Sequence, residues 1–153
     1  AGEFGHMQVV PATDTGSRPC ECGRMGCWEQ YCSGKALGRY AEAAGSSLRG
    51  PDLTRAAEDK DPVARGAYAE VGRWLGIGIA NVVAGIDPEM VIVGGGVSSA
   101  GELLLTPARR ALRGSLVGQG HRRDPRLVAA ELGPLAGLIG AALLSREMET
   151  GHR

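Results

Sequence analysis

The sequence predicts an α/β fold in which helices pack against a sheet. One observation is a β-branched run at 90–93 that leads into three glycines and then into a helical segment. A second is the recurrence of this order, with a strand at 127–130 followed by a helix from 135 to 148. A third is a long apolar helix over 62–86, ahead of both strands. Strands that alternate with helices are typical of α/β layering.

The first third of the chain predicts only short elements. Residues 7–10 are expected to form a short strand that a proline ends, and residues 13–19 form a polar loop. Residues 35–44 predict a helix, because Gly45 stands where glycine commonly follows a helix C-terminus. A second helix is expected around residues 51–58.

The central helix has signals at both ends. Asp61 can cap it, Pro62 suits its first position, and an Asp-Pro pair at 87–88 stops it. Apolar residues recur along it at helical spacing, which indicates a broad face buried in the core. Gly76 and Gly78 thin the helix midway, so we expect another backbone to pack closely there.

The segment after the central helix contains the glycine turn. Met90–Val93 is expected to be a buried strand, followed by the glycines at 94–96 and a helix from 102 to 116. Glycines after a strand let a nucleotide lie against bare backbone, but they also suit a tight turn, and the sequence leaves both readings open. The polar residues at 121–123 are expected to form a solvated loop.

Composition indicates one globular unit. The 153 residues are 43% hydrophobic and 22% charged, with 17 basic and 17 acidic side chains. This balance gives no sign of a nucleic-acid or membrane-surface partner. The sequence has neither a membrane-spanning run nor a signal-peptide pattern, so we expect a cytoplasmic location.

Three cysteines lie close together in the sequence and predict a metal site. Cys20, Cys22 and Cys27 are separated by turns that contain glycine, and His6 lies upstream. Three thiolates and one imidazole are a complete tetrahedral ligand set for structural zinc. In a cytoplasmic protein, clustered cysteines favour metal over disulfides; the alternative is incidental thiols beside a surface histidine. The fourth, Cys32, is expected to be a small packing residue.

Several motifs resemble, in family order, those of the ROK family of sugar kinases and repressors, and most closely its ATP-dependent glucokinases. The matching text is Ala1-Gly-Glu-Phe-Gly-His6, Cys20-x-Cys-Gly-x-x-Gly-Cys-Trp-Glu-Gln-Tyr-x-Ser-Gly34, Gly72-Arg-Trp-Leu-Gly-x-Gly-Ile-Ala-Asn81, Val91-Ile-Val-Gly-Gly-Gly-Val-Ser98 and Leu132-Gly-x-x-Ala-Gly-Leu-Ile-Gly-Ala-Ala142. The resemblance covers essentially the whole chain, and the cysteine motif is the most specific part of it.

The resemblance implies an actin-like or hexokinase-like ATPase fold (ribonuclease H-like), with two α/β domains that close over sugar and ATP. The chain would be its C-terminal part with a zinc-binding loop: residues 1–34 the sugar- and zinc-binding segment, residues 35–153 the nucleotide-side and dimerisation portion. The implied zinc ligands are His6, Cys20, Cys22 and Cys27. The implied sugar-binding residues are Glu3, His6 and Glu29, and those facing the adenosine of Mg-ATP are Gly94, Gly95, Gly96 and Val97.

The family's Asp-x-Gly-x-Thr phosphate loop and general-base aspartate do not occur in the sequence, and we expect them upstream of Ala1. The parent would then be an ATP:glucose phosphotransferase, a homodimer or dimer of dimers, and this chain would have no kinase activity by itself. Three alternatives remain: a sugar-responsive repressor with a DNA-binding helix-turn-helix, a kinase using polyphosphate or another hexose such as N-acetylmannosamine, and a zinc-stapled protein without a ligand.

Overall fold

The computed structural model describes residues 2–149, with only the backbone of residue 134 and of residues 147–149. Its helices are α1 (Glu29–Cys32), α2 (Gly34–Ala43), α3 (Gly50–Glu58), α4 (Pro62–Ile86), α5 (Glu102–Ser115) and α6 (Ala136–Glu149). Its strands are β1 (Met90–Val93) and β2 (Arg126–Ala129), and 3-10 turns cover Phe4–His6, Gly96–Ala100 and Gly133–Leu135. Among the helices of residues 2–149, none has the length and apolar character needed to cross a membrane.

The two strands form a parallel pair joined by a helical crossover. Met90 pairs with Arg126 and Val93 with Ala129, and α5 lies between the strands in the chain. This order of strand, glycine turn, helix, strand and helix confirms the predicted α/β arrangement. The predicted bounds of β1 are correct, and β2 begins one residue earlier than predicted.

Helix α4 runs through the core and packs along α5. Its N-cap is Asp61, whose carboxylate accepts from the amide of Ala64 at 2.8 Å, as predicted. The close backbone approach expected at the helical glycines is present at Gly76, where a Cβ would lie 2.2 Å from the carbonyl oxygen of Ala108, whereas Gly78 meets the side chain of Trp28 instead of a backbone. One core cluster joins α2, α3 and α4, and a second joins α4, α5 and the sheet.

Two expectations about strands are wrong. Residues 7–10 form no strand; Gln8 makes a single bridge with Cys27, because this segment lies against an irregular loop that offers no ladder of partners. Strand β1 is not buried: Met90 is 44% and Ile92 61% exposed. The core lies against one face of the pair only, so Val91 and Val93 pack on it while the alternate residues face outward.

The described C-terminal helix also exposes apolar side chains. Helix α6 starts one residue later than predicted, after the 3-10 turn at Gly133–Leu135. Leu138 is 70% and Leu144 63% exposed, and Leu132 and Leu135 before the helix are more than half exposed. Apolar exposure on this scale is typical of an interaction surface.

Candidate functional site

The segment from Arg18 to Cys27 folds into a small hairpin that gathers the cysteines. Its ends meet where the amide of Gly26 donates to the carbonyl of Arg18 at 2.8 Å, and its tip is closed by the bond from the amide of Cys20 to the carbonyl of Arg24, also 2.8 Å. Gly26 has a φ of +73°, and a Cβ there would stand 1.9 Å from the carbonyl oxygen of Val10. Only glycine fits this position.

The hairpin brings together the four predicted metal ligands. The ligand atoms of His6, Cys20, Cys22 and Cys27 all lie within 4.8 Å of one another. The Sγ of Cys20 is 3.5 Å from His6 Nδ1, and the Sγ atoms of Cys22 and Cys27 are 3.6 Å apart. Tetrahedral zinc bound at normal distances gives S···N edges of about 3.5 Å and S···S edges of about 3.8 Å. The donor set therefore fits zinc in chemistry, and these two distances are close to the edges that a tetrahedral site requires.

Arg24 acts on this cluster from the tip of the hairpin. Its guanidinium donates to the carbonyl oxygen of His6 at 2.6 Å. The backbone and then the side chain of Arg24, by hydrogen bonding to the Cys22 sulfur, lower the pKa of that thiol to about 6. Burial raises the pKa of Cys27 to about 12. The exposed Cys22 is therefore the thiol of this pair that ionises first.

Glu29 lies directly beside the cluster, at the first position of α1. Its Oε1 is 3.2 Å from the Sγ of Cys20 and 3.8 Å from His6 Nδ1. Because Nδ1 is the His6 nitrogen that lies against the Cys20 sulfur, the Nε2 atom is left for another partner. Glu3 is exposed and precedes the 3-10 turn that holds His6. Two potential sugar ligands, Glu29 and His6, are thus brought together, and Glu3 lies three residues before His6.

The glycine turn lies at a different place, beside a cleft of about 620 Å³. Gly95 has a φ of +90° and precedes the 3-10 turn, and Ser98 donates its hydroxyl to the Gly95 carbonyl at 2.7 Å. Of the four residues predicted to face a nucleotide, Gly96 and Val97 line the cleft, while Gly94 and Gly95 stand outside its described lining. The other lining residues are Ser99 of the same 3-10 turn and residues of α2, of α3 and the segment before it, and of α4.

Sequence reasoning did not identify the remaining cleft residues. Thr54 and Tyr68 face it, with their hydroxyl oxygens 2.8 Å apart, and Arg49 lies at its edge with its guanidinium on Glu42. These side chains come from separate helices and a loop, so no local motif joins them.

The structural role of Trp28 was also missed, although the residue lies within the cysteine motif. Its indole N–H donates to the carbonyl oxygen of Trp74 at 2.8 Å, and its ring fills the space over Gly78. The glycine in the middle of an apolar helix was the available signal, because it marks a close approach. Cys32, the expected packing residue, is half-buried against the first core cluster, and burial raises its pKa to about 12.

Comparison with known proteins agrees with these motifs. A family model described as "ROK family" matches residues 1–148. A glucokinase of Streptomyces coelicolor is 40% identical over 165 residues, which cover 96% of this chain and 51% of that protein. A crystal structure of a ROK family glucokinase from Streptomyces griseus in complex with glucose and AMPPNP superposes with a TM-score of 0.87 at 42% identity, covering 96% of this chain and 52% of that one.

A regulator is similar as well. The crystal structure of a ROK family transcriptional regulator, a homologue of the E. coli MLC protein, superposes with a TM-score of 0.70 at 29% identity, over 84% of this chain and 34% of that one. The chain spans about half the length of the curated relatives it matches.

Proposed function

Because the chain belongs to the ROK family, we propose that it is the hexose-binding, metal-binding part of an ATP-dependent glucokinase. The observation that carries this proposal is the position of the Glu29 carboxylate, 3.2 Å from a thiol of a cluster that fits zinc. Its relatives named as glucokinases, one of them with glucose and AMPPNP bound, support the choice of substrate. Glucose and ATP would be the substrates, and glucose 6-phosphate the product.

His6, Cys20, Cys22 and Cys27 would hold a structural zinc ion. With four protein ligands the metal has no open position, so it would supply rigidity and no reactive water. His6 would bind through Nδ1 and offer its Nε2 to a sugar hydroxyl, in an orientation that the metal fixes. Glu29 and Glu3 would accept hydrogen bonds from neighbouring hydroxyls, which carboxylates do more strongly than neutral acceptors. Residues 1–34 are in this proposal the sugar- and zinc-binding segment.

The adenosine of Mg-ATP would lie at the glycine turn, at Gly94, Gly95, Gly96 and Val97. The cleft beside Gly96 and Val97 supports this assignment, because it is largely apolar and has a few polar groups at its wall, as ligand pockets do. Phosphoryl transfer depends mainly on positioning and charge stabilisation, so residues 35–153 would contribute by fixing the donor. The exposed leucines of α6 and the segment before it support assembly into a homodimer or dimer of dimers. We place the protein in the cytoplasm, where thiols remain reduced.

A sugar-responsive repressor is the second candidate, and the similarity to a ROK regulator favours it. The glucokinase assignment is preferred because the identity to glucokinases is higher, 40–42% against 29%. Binding of DNA by the protein would favour the repressor function over the glucokinase function.

Calorimetric titration of the zinc-loaded chain with D-glucose tests the proposal. We expect saturable binding that is lost in Glu29→Gln, with Glu21→Gln as the matched control, because Glu21 is a nearby exposed acid, in the cysteine hairpin, whose contact is with Lys35. A coupled assay for glucose 6-phosphate with this chain alone is expected to show no turnover, since its sequence lacks the Asp-x-Gly-x-Thr loop. Absence of glucose binding, or equal binding by Glu29→Gln, would contradict the proposal.

A further inference from the structure

Trp28, the residue directly after the cysteine hairpin, packs closely on Gly78 of α4. A Cβ at Gly78 would lie 1.9 Å from the indole Cε2 and 2.2 Å from Nε1. The indole N–H donates to the carbonyl oxygen of Trp74, one turn earlier on α4, at 2.8 Å. The ring therefore packs on the bare backbone at Gly78, and the hydrogen bond to Trp74 holds its edge.

This contact acts directly on the residues of the site. Trp28 stands between Cys27, a predicted metal ligand, and Glu29, the carboxylate beside the cluster. Its own amide donates to the carbonyl of Met7, at the end of the turn that carries His6, at 2.8 Å. The single turn of α1 is also held by Tyr31, whose ring packs on Trp74 with ring centroids 4.7 Å apart. Metal binding would fix Cys27 itself, and contacts such as those of Trp28 and Tyr31 hold the direction of α1 beyond it.

We propose that Trp28 and Gly78 are positioning residues for the hexose site: the indole seated on the bare backbone of α4 sets the direction of the Glu29 carboxylate. The inference rests on the proposed function for the identity of the ligand. It also explains why a glycine occupies the middle of a core helix, where it is less favourable than alanine by about 1 kcal/mol. Neither residue touches the sugar in this proposal; both act through Glu29.

Two substitutions in α4 separate this role from a general effect on the helix. Gly78→Ala places a methyl group inside the indole, so the ring and α1 must move. Gly85→Ala, two turns further along the same helix, meets nothing within 4 Å and serves as the control. We expect Gly78→Ala to weaken D-glucose binding at least about tenfold, as a displacement near 1 Å does in a preorganised site. Zinc content should remain equal in the two variants, because neither changes a ligand.

A rescue experiment tests whether the loss is caused by steric conflict with Trp28. The double variant Gly78→Ala/Trp28→Leu has room for the new methyl group, so we expect it to bind glucose more tightly than Gly78→Ala and to unfold at higher denaturant. A helix damaged for another reason would not recover, and the double-mutant cycle would then be additive. If Gly78→Ala does not fold, recovery of folding in the double variant Gly78→Ala/Trp28→Leu still reports the same contact. A double variant that also fails to fold contradicts the proposal.

Hydrogen exchange gives a measurement that does not depend on glucose. In the zinc-loaded chain, the peptide covering residues 27–33 should exchange faster in Gly78→Ala than in Gly85→Ala, and slow again in the double variant. Equal exchange in the two single variants would overturn the inference. Failure of the unsubstituted chain to bind glucose would contradict the proposed function instead, and the exchange comparison would still decide whether Trp28 and Gly78 hold α1.

Discussion

The guanidinium of Arg24 donates a hydrogen bond of 2.6 Å to the carbonyl oxygen of His6, eighteen residues earlier in the chain. The same residue, through its backbone and then its side chain, lowers the pKa of the Cys22 thiol. One side chain thus joins two of the four predicted metal ligands without being a ligand itself. Three thiolates around a divalent ion carry a net negative charge, which a neighbouring guanidinium stabilises.

We predict that Cys22 is more reactive than Cys27 and Cys32 in the metal-free chain at neutral pH. The backbone and side chain of Arg24 lower its pKa to about 6, whereas the pKa of Cys27 and that of Cys32 are raised to about 12 by burial. Reactivity follows the thiolate form, so alkylation at Cys22 should rise through pH 6 and level off above pH 7. Peptide mapping after brief iodoacetamide treatment over pH 5–9 measures this profile.

The variant Arg24→Gln tests whether the Arg24 side chain causes the lowered pKa of Cys22. This substitution removes the guanidinium but keeps the backbone donor. The midpoint of the Cys22 alkylation profile should therefore move to a higher pH without reaching that of an ordinary thiol. An unchanged midpoint would contradict the role of the side chain. Preferential labelling of Cys27 or Cys32 would contradict the whole ordering.

Replacement of one predicted ligand should remove the metal and destabilise the chain. Elemental analysis is expected to give about one zinc per chain, and about none for Cys22→Ser, since structural sites need four protein ligands. Cys32→Ser is the matched control, because Cys32 is half-buried outside the cluster. A chelator should lower the Tm of the unsubstituted chain and of Cys32→Ser by several degrees, because binding to the native state alone stabilises it. Equal zinc in both variants would exclude the four-ligand site.

A methyl group at Gly76 should destabilise the packing of α4 on α5. It would stand 2.2 Å from the carbonyl oxygen of Ala108 and 2.7 Å from the amide nitrogen of Leu112, and backbone cannot move aside as a side chain can. We expect Gly76→Ala to lower the free energy of unfolding by about 1–3 kcal/mol. In the control Gly66→Ala the methyl group meets open space, so the free energy should rise by about 0.5–1 kcal/mol. Denaturant midpoints measure the stability of both variants. A Gly76→Ala variant as stable as the unsubstituted chain would contradict the close packing of α4 on α5.

The elements that could be predicted are those with local signals. Helix α4 has a capping aspartate and a proline at its start, and β1 is a β-branched run between a proline and a glycine, so their bounds follow from neighbouring residues. The exposure of Ile92 could not be predicted, because burial of a strand depends on which elements cover it. The strand predicted over residues 7–10 is wrong for a related reason. The amides of Val9 and Val10 both donate to the carbonyl of Gly26, which is far away in the sequence, so the partner could not be read from neighbouring residues.

The same distinction applies to the site. The metal cluster could be predicted, because ligand type and spacing restrict what three cysteines and a histidine can do. The packing of Trp28 could not be predicted, since it depends on Gly78 and Trp74 of another helix. The cleft beside Val97 combines side chains of α3 and α4 whose meeting is a result of tertiary packing.

Blocking this cleft should prevent nucleotide binding while leaving the metal cluster intact. Ser99 lies on its wall, in the 3-10 turn after the glycines, and is exposed. In Ser99→Trp the indole should occupy the opening, so we expect AMPPNP to bind at least about tenfold more weakly, with zinc content unchanged. Ser99→Ala is the control: it loses the 2.7 Å hydrogen bond from the hydroxyl to the Gly96 carbonyl but leaves the cleft open. Equal affinity of Ser99→Trp and Ser99→Ala for AMPPNP in a calorimetric titration would place the nucleotide elsewhere, because an indole at the opening of the cleft should obstruct an adenosine bound inside it.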